Sequence, residues 1–162
     1  YLDREGFQVF ATSSNSPLDP SRVDWDKAKA NEYRFVQKPG PKNALGRVKF
    51  MFPNAHHVYL HDTPSRDLFD RRVRAFSSGC IRVKDPAALA ATLLGWERSR
   101  IDNAMLGNTT KRVNLTDPVP VHLIYATAWV DRAGGLHFLP DVYQRDLKLA
   151  RLLGEPPPER TR

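Results

Sequence analysis

The sequence predicts an α+β fold, mainly β with helices inserted between the strands, and three observations carry that expectation. Short stretches of alternating apolar and polar residues recur along the chain, the period of a half-buried strand. Between them lie segments in which a capping residue is followed by proline, the chemistry of a helix start. The 162 residues are 41% hydrophobic, enough for one ordinary core and too little for two independent ones. A single domain of strands decorated with helices is therefore expected.

Taken in order, Phe7, Val9 and Ala11 alternate with polar neighbours and read as a short strand. Residues 13–26 are loop chemistry, with Pro17 and Pro20 fixing backbone angles and Asn15 and Asp19 suited to turns. Residues 33–37, "YRFVQ", predict a strand that the prolines and glycines of "KPGPKNALG" end. In residues 47–52, Val48, Phe50 and Phe52 fall on one face of a strand and Arg47, Lys49 and Met51 on the other. The next strand is "HHVYLHD", residues 56–62, with Val58 and Leu60 opposite His57, Tyr59 and His61.

Residues 63–76 predict a helix, with Thr63 as N-cap, Pro64 at the first helical position and Leu68, Phe69 and Val73 as an apolar stripe. A second helix runs over residues 85–102, capped by Asp85 and opened by Pro86. Residues 118–131 carry the longest strand signal, and "DRAGG" turns that strand into "LHFL" as a hairpin. A last helix is expected over 141–153. Residues 154–162 read as a flexible, proline-rich tail, leaving 1–153 as the folded part.

Composition excludes several function classes. The formal charge of +7 favours anionic partners. The basic residues are dispersed, however, with no zinc-finger spacing, aromatic ribonucleoprotein motif or glycine-rich phosphate loop, so no nucleic-acid partner is expected. No apolar run approaches the roughly 20 residues of a membrane-spanning helix. The chain opens at Tyr1 without a basic segment leading into an apolar one, so a leader, an anchor or a longer preceding segment is expected to lie outside it.

The single cysteine, Cys80, has two readings. Cysteine is among the most buried residue types, and one followed by Ile81 and Val83 suits a core strand. Alternatively it is a nucleophile, which needs a base or positive charge nearby and access to substrate. Gly79 permits unusual backbone angles, Arg74 and Arg82 raise the local positive potential, and His61 ends a strand one helix length before the cysteine. A metal site is the rival chemistry, since His56, His57, His61, Asp62 and Cys80 are possible ligand types and His57 and His61 have helical zinc-pair spacing. The intervening "VYL" alternates like a strand, which would hold the two roughly 13 Å apart. A papain-type protease is disfavoured because there the cysteine precedes the histidine.

"LHDTP" and "RAFSSGCIRV" together resemble the active-site region of the YkuD-type L,D-transpeptidases, in particular the YcbB-like branch that cross-links murein. The family motif is a histidine, an interval, Ser/Thr-His-Gly-Cys, an apolar residue and asparagine. His61, Ser77, Gly79, Cys80 and Ile81 fit it. Ser78 stands where the second histidine usually is and Arg82 where the asparagine is, a variant characteristic of that branch. "QKPGPKNALGRVKFMFPN" and "PVPVHLIYATAWVDRAGGLHFLPDVYQRD" extend the likeness over most of the chain.

The resemblance implies a YkuD-like β-sandwich, here the C-terminal part of the catalytic domain without its N-terminal strands. It implies Cys80 as nucleophile and His61 as its base, with no metal and no cofactor. Gly79 and Cys80 become candidate oxyanion donors through their N–H groups, and Tyr59 through its hydroxyl. Ser77 and Ser78 would shape the turn and touch substrate, while Arg74 and Arg82 would bind carboxylates of peptidoglycan stem peptides. The implied activity is formation of 3–3 cross-links through a thioester in the periplasm or cell envelope, with carbapenem β-lactams as covalent inhibitors. A carboxypeptidase, a lipoprotein-attaching transpeptidase and a non-catalytic wall-binding module are the alternatives.

Overall fold

The computed structural model describes residues 1–156. Contacts gather the chain into two compact units, Tyr1–Arg71 with Phe76–Val119, and Arg72–Ala75 with the chain from Pro120 onward.

The first unit holds two three-stranded sheets and two helices. In one sheet β1 (Phe7–Ala11) is central, paired antiparallel with β2 (Pro17–Leu18) and β3 (Tyr33–Gln37). Val9 faces Phe35 and Leu18 across the two ladders and is fully buried, as the alternation of this stretch predicts. The other sheet has the order β4-β5-β6, with β4 (Lys49–Phe50), β5 (Leu60–His61) and β6 (Ile81–Arg82). β4 runs antiparallel to β5, and β6 runs parallel to it.

α1 (Pro86–Leu94) follows β6, and α2 (Arg98–Met105) packs on it. Ala87, Ala90 and Ile101 are buried between the helices, with Phe50 of β4, Leu94, Trp96 and Met105 around them. This cluster ties the second sheet to its helices. The Asp85 side chain accepts the Ala88 N–H at 3.0 Å, as an N-cap should. That bond, helped by Arg98, holds the Asp85 carboxyl below its ordinary range.

The second unit contains the hairpin β7 (Ala128–Val130) and β8 (Leu136–Phe138) and the helix α3 (Arg145–Leu153). Asp131 organises the hairpin turn by accepting the N–H groups of Ala133 and Gly135, both at 2.9 Å, and contacting the His137 ring at 2.7 Å. The bond to His137 is the largest cause of its lowered pKa. His137 in turn stacks on Trp129, its cross-strand neighbour, with ring centroids 5.0 Å apart.

Several expectations are corrected. Residues 63–76 do not form an α-helix: only a 3-10 turn, Arg66–Asp70, is present. Thr63 is spent locally, its Oγ1 accepting the Ser65 N–H, and Arg71, Arg72 and Arg74 would crowd like charges onto one continuing helix. The 85–102 helix is two helices, broken where Gly95 adopts φ +62° and closes α1. The strands expected over 47–52 and 56–62 shrink to β4 and β5, because Asn54 folds its side chain back on Phe52, His56 and Val58 to make a turn. Of 118–131 only β7 pairs: Pro118 and Pro120 lack ladder donors, and alternation alone supplies no partner strand. α3 begins at Arg145 rather than at 141, where Asp141 instead accepts the Arg145 and Asp146 N–H groups. Of the expected tail, Gly154 ends α3 in a left-handed conformation, and residues 157–162 lie outside the described residues.

Candidate active site

The β5–β6 register assembles the site. His61 pairs with Arg82 and Leu60 with Ile81, and the Ile81 N–H donates to the Tyr59 carbonyl at 3.0 Å. One residue back along both strands, Tyr59 and Cys80 therefore stand side by side. Side chains two apart share a face, so Tyr59, His61, Cys80 and Arg82 project together while Leu60 and Ile81 project oppositely. The antiparallel partner adds Lys49, directly across from His61, with its ammonium 5.9 Å from the centre of the Tyr59 ring.

His61 is 5% exposed, and its Nδ1 bonds the backbone carbonyl of Asp62. A carbonyl only accepts, so Nδ1 carries the proton and Nε2 is the ring atom left to exchange one with the thiol. The Tyr59 ring lies edge-on to that of His61, with centroids 5.8 Å apart. Cys80 is a free, half-buried thiol. Burial first, then a hydrogen bond and charge interaction with Cys80, push the Tyr59 hydroxyl above its ordinary pKa. That direction keeps Tyr59 a protonated phenol, a hydrogen-bond donor on the face it shares with Cys80.

The turn before Cys80 is tied by one hydroxyl. Ser77 Oγ accepts the Gly79 N–H at 3.2 Å and donates to the Cys80 carbonyl at 2.6 Å. Gly79 has φ +140°, a conformation that L side chains rarely adopt, which explains glycine at this position. Its N–H is occupied by Ser77, so in this arrangement it is a turn-forming donor. Ser78 is exposed at the tip of the same turn. Arg82 is half-buried on the shared face, and its Nε is buried without a hydrogen-bond partner among the described residues. Arg74 is exposed and belongs to the other compact unit.

Sequence reasoning missed three parts of this region. Asp62, weighed only as a metal ligand, is 3% exposed; its carboxylate accepts the Arg47 N–H at 2.8 Å and the Arg66 guanidinium at 2.6 Å. Gly46 leaves room for it, since a Cβ there would lie 2.3 Å from Asp62 Oδ2. Lys49 was legible on the polar face of its strand, though nothing in the sequence placed that face opposite His61. His57 leaves the strand at φ +54°, so the zinc-pair spacing is not realised, and no three His, Cys, Asp or Glu side chains among the described residues converge as a metal site.

Residues 5–121 match the YkuD family of L,D-transpeptidase catalytic domains, and the chain belongs to that family. A Haemophilus influenzae protein named "Putative L,D-transpeptidase" is 36% identical over 158 residues, covering 94% of this chain and 32% of its own length. The chain thus spans about a third of the curated relative it matches. No helix among the described residues is long and apolar enough to cross a membrane.

Proposed function

We propose that this chain carries the catalytic chemistry of a cysteine-dependent peptidoglycan transpeptidase of the YcbB-like branch, on a YkuD-like β-sandwich, acting in the cell envelope. The observation that supports it most is the common face of Tyr59, His61, Cys80 and Arg82, with His61 Nδ1–H donated to the Asp62 carbonyl. His61 Nε2 takes the thiol proton, and the sulfur attacks the carbonyl of the third residue of a donor tetrapeptide stem, meso-diaminopimelate or its equivalent. The tetrahedral oxyanion is met by the Cys80 N–H and the Tyr59 hydroxyl. His61 returns the proton to the departing amine, terminal D-Ala leaves, and a thioester remains.

The side-chain amine of a neighbouring stem then loses its proton to His61 and attacks the thioester, giving a 3–3 cross-link and restoring the thiol. Arg82, with an unpartnered buried Nε, and Lys49 supply positive charge for the stem carboxylates. Carbapenems inhibit by the same attack on a strained carbonyl.

Incubation with purified tetrapeptide stems, read by mass spectrometry, tests the assignment. The expected product of the wild type is a cross-linked dimer with loss of D-Ala, with a trappable thioester on Cys80, and Cys80→Ala yields neither. A tripeptide alone would mean that water is the acceptor. An inert Cys80, unmodified by both stems and carbapenem, would mean a wall-binding module and end the catalytic reading.

A further inference from the structure

We propose that the Asp62 carboxylate, clamped by Gly46, Arg47 and Arg66, is the positioning device that holds the His61 base in one tautomer and on the face it shares with Cys80. The proposal rests on the catalytic reading of His61 and Cys80 and deepens it. A carboxylate 3% exposed is costly to bury unless its oxygens are satisfied, and this one divides its oxygens between two partners. Oδ2 accepts the Arg47 N–H at 2.8 Å, and Oδ1 accepts the Arg66 guanidinium at 2.6 Å. Both oxygens are engaged by these donors, so Asp62 acts through other groups.

Three connections give it leverage on the site. The Asp62 N–H donates to the Val48 carbonyl at 2.9 Å, and its own carbonyl accepts His61 Nδ1–H. Fixing the Asp62 side chain and amide therefore fixes the direction of the carbonyl that selects the tautomer. Gly46, at φ +64°, brings its backbone against the carboxylate so closely that any side chain would displace it. Arg66 also donates through Nη1 to the Lys84 carbonyl, just beyond β6. One guanidinium thus joins the exit of the strand bearing His61 to the exit of the strand that follows Cys80.

Arginine is suited to this because its rigid fork reaches two acceptors at once, which a lysine ammonium on a flexible stem does less well. Asparagine at 62 would turn an NH2 toward one of two donors. The expected consequence of loosening the clamp is a His61 that samples both neutral tautomers and a nucleophile–base pair displaced by an ångström or so, a misplacement that costs about a hundredfold in rate.

The test compares Asp62→Asn, Arg66→Ala and Arg66→Lys in the full-length protein. Three readouts are needed: single-turnover thioester formation, stem-peptide affinity, and the 15N chemical shifts of the His61 ring in otherwise native-like spectra. The expected result is acylation about a hundredfold slower in Asp62→Asn and Arg66→Ala, partial recovery in Arg66→Lys, unchanged stem affinity, and ring shifts moving from a single Nδ1–H tautomer to a mixture. Arg66 is half exposed, so its variants keep the question open should Asp62→Asn fail to fold. Folded variants that acylate at the wild-type rate, or that slow down while His61 stays wholly in the Nδ1–H tautomer, would overturn the proposal. If the wild type forms no thioester, the catalytic reading fails and the ring shifts alone judge the clamp.

Discussion

The β5–β6 register sets Tyr59 beside Cys80 on one face. Burial first, then the interaction with Cys80, make the phenol's own proton harder to remove, so Tyr59 stands on that face as a hydrogen-bond donor. Tyr59→Phe removes the donor without changing the ring. Alkylation of Cys80 by iodoacetamide at neutral pH should then slow by about tenfold, the loss of one hydrogen bond to a charged group. Equal rates in the two proteins would remove Tyr59 from the chemistry. The shared face of Tyr59 and His61 was legible because strand alternation acts over short sequence distances. Asp62 was not, since its meaning depends on Gly46 and Arg66, which only folding brings to the same carboxylate.

At the scale of elements, β1 and β3 follow the sequence closely because their alternation finds partner strands, and α1 starts where its cap and proline put it, although Gly95 ends it well before the expected 102. Residues 63–76 and 118–131 carried only half of such signals. Apolar spacing was present, but like charges opposed the helix and prolines opposed the strand. The α1–α2 pair concentrates the described buried core in few side chains, so it is sensitive to truncation. Ile101, 3% exposed, is held between the helices, and Ile101→Ala should cost about 2–5 kcal/mol, the usual penalty for emptying such a site. Leu106, 69% exposed at the end of α2, is the control, with an expected change within about 0.5 kcal/mol on substitution by alanine. Urea denaturation with matched slopes measures both; similar midpoints for the two variants would mean that the Ile101 cluster is not stabilising.

For the whole molecule, the relevant property is the sign of the charge. A formal +7 spread over dispersed lysines and arginines attracts polyanions in general without specifying where on the surface they bind. Specificity then belongs to the few cations on the site face, Lys49 across from His61 and Arg82 beside it in register. The two contributions respond differently to salt, because the Debye length falls from about 10 Å at 0.1 M to about 3 Å at 1 M, and half-buried groups are screened less than exposed ones. For an anionic donor stem, kcat/KM should therefore fall several-fold over that range, whereas alkylation of Cys80 by uncharged iodoacetamide should stay nearly level. Lys49→Ala should weaken donor binding further at low salt and leave the alkylation rate unchanged, because Lys49 is exposed and contacts the Tyr59 ring rather than the sulfur. A kcat/KM indifferent to salt would mean that the basic surface does not steer substrate, and that the stem carboxylates are recognised entirely at close range.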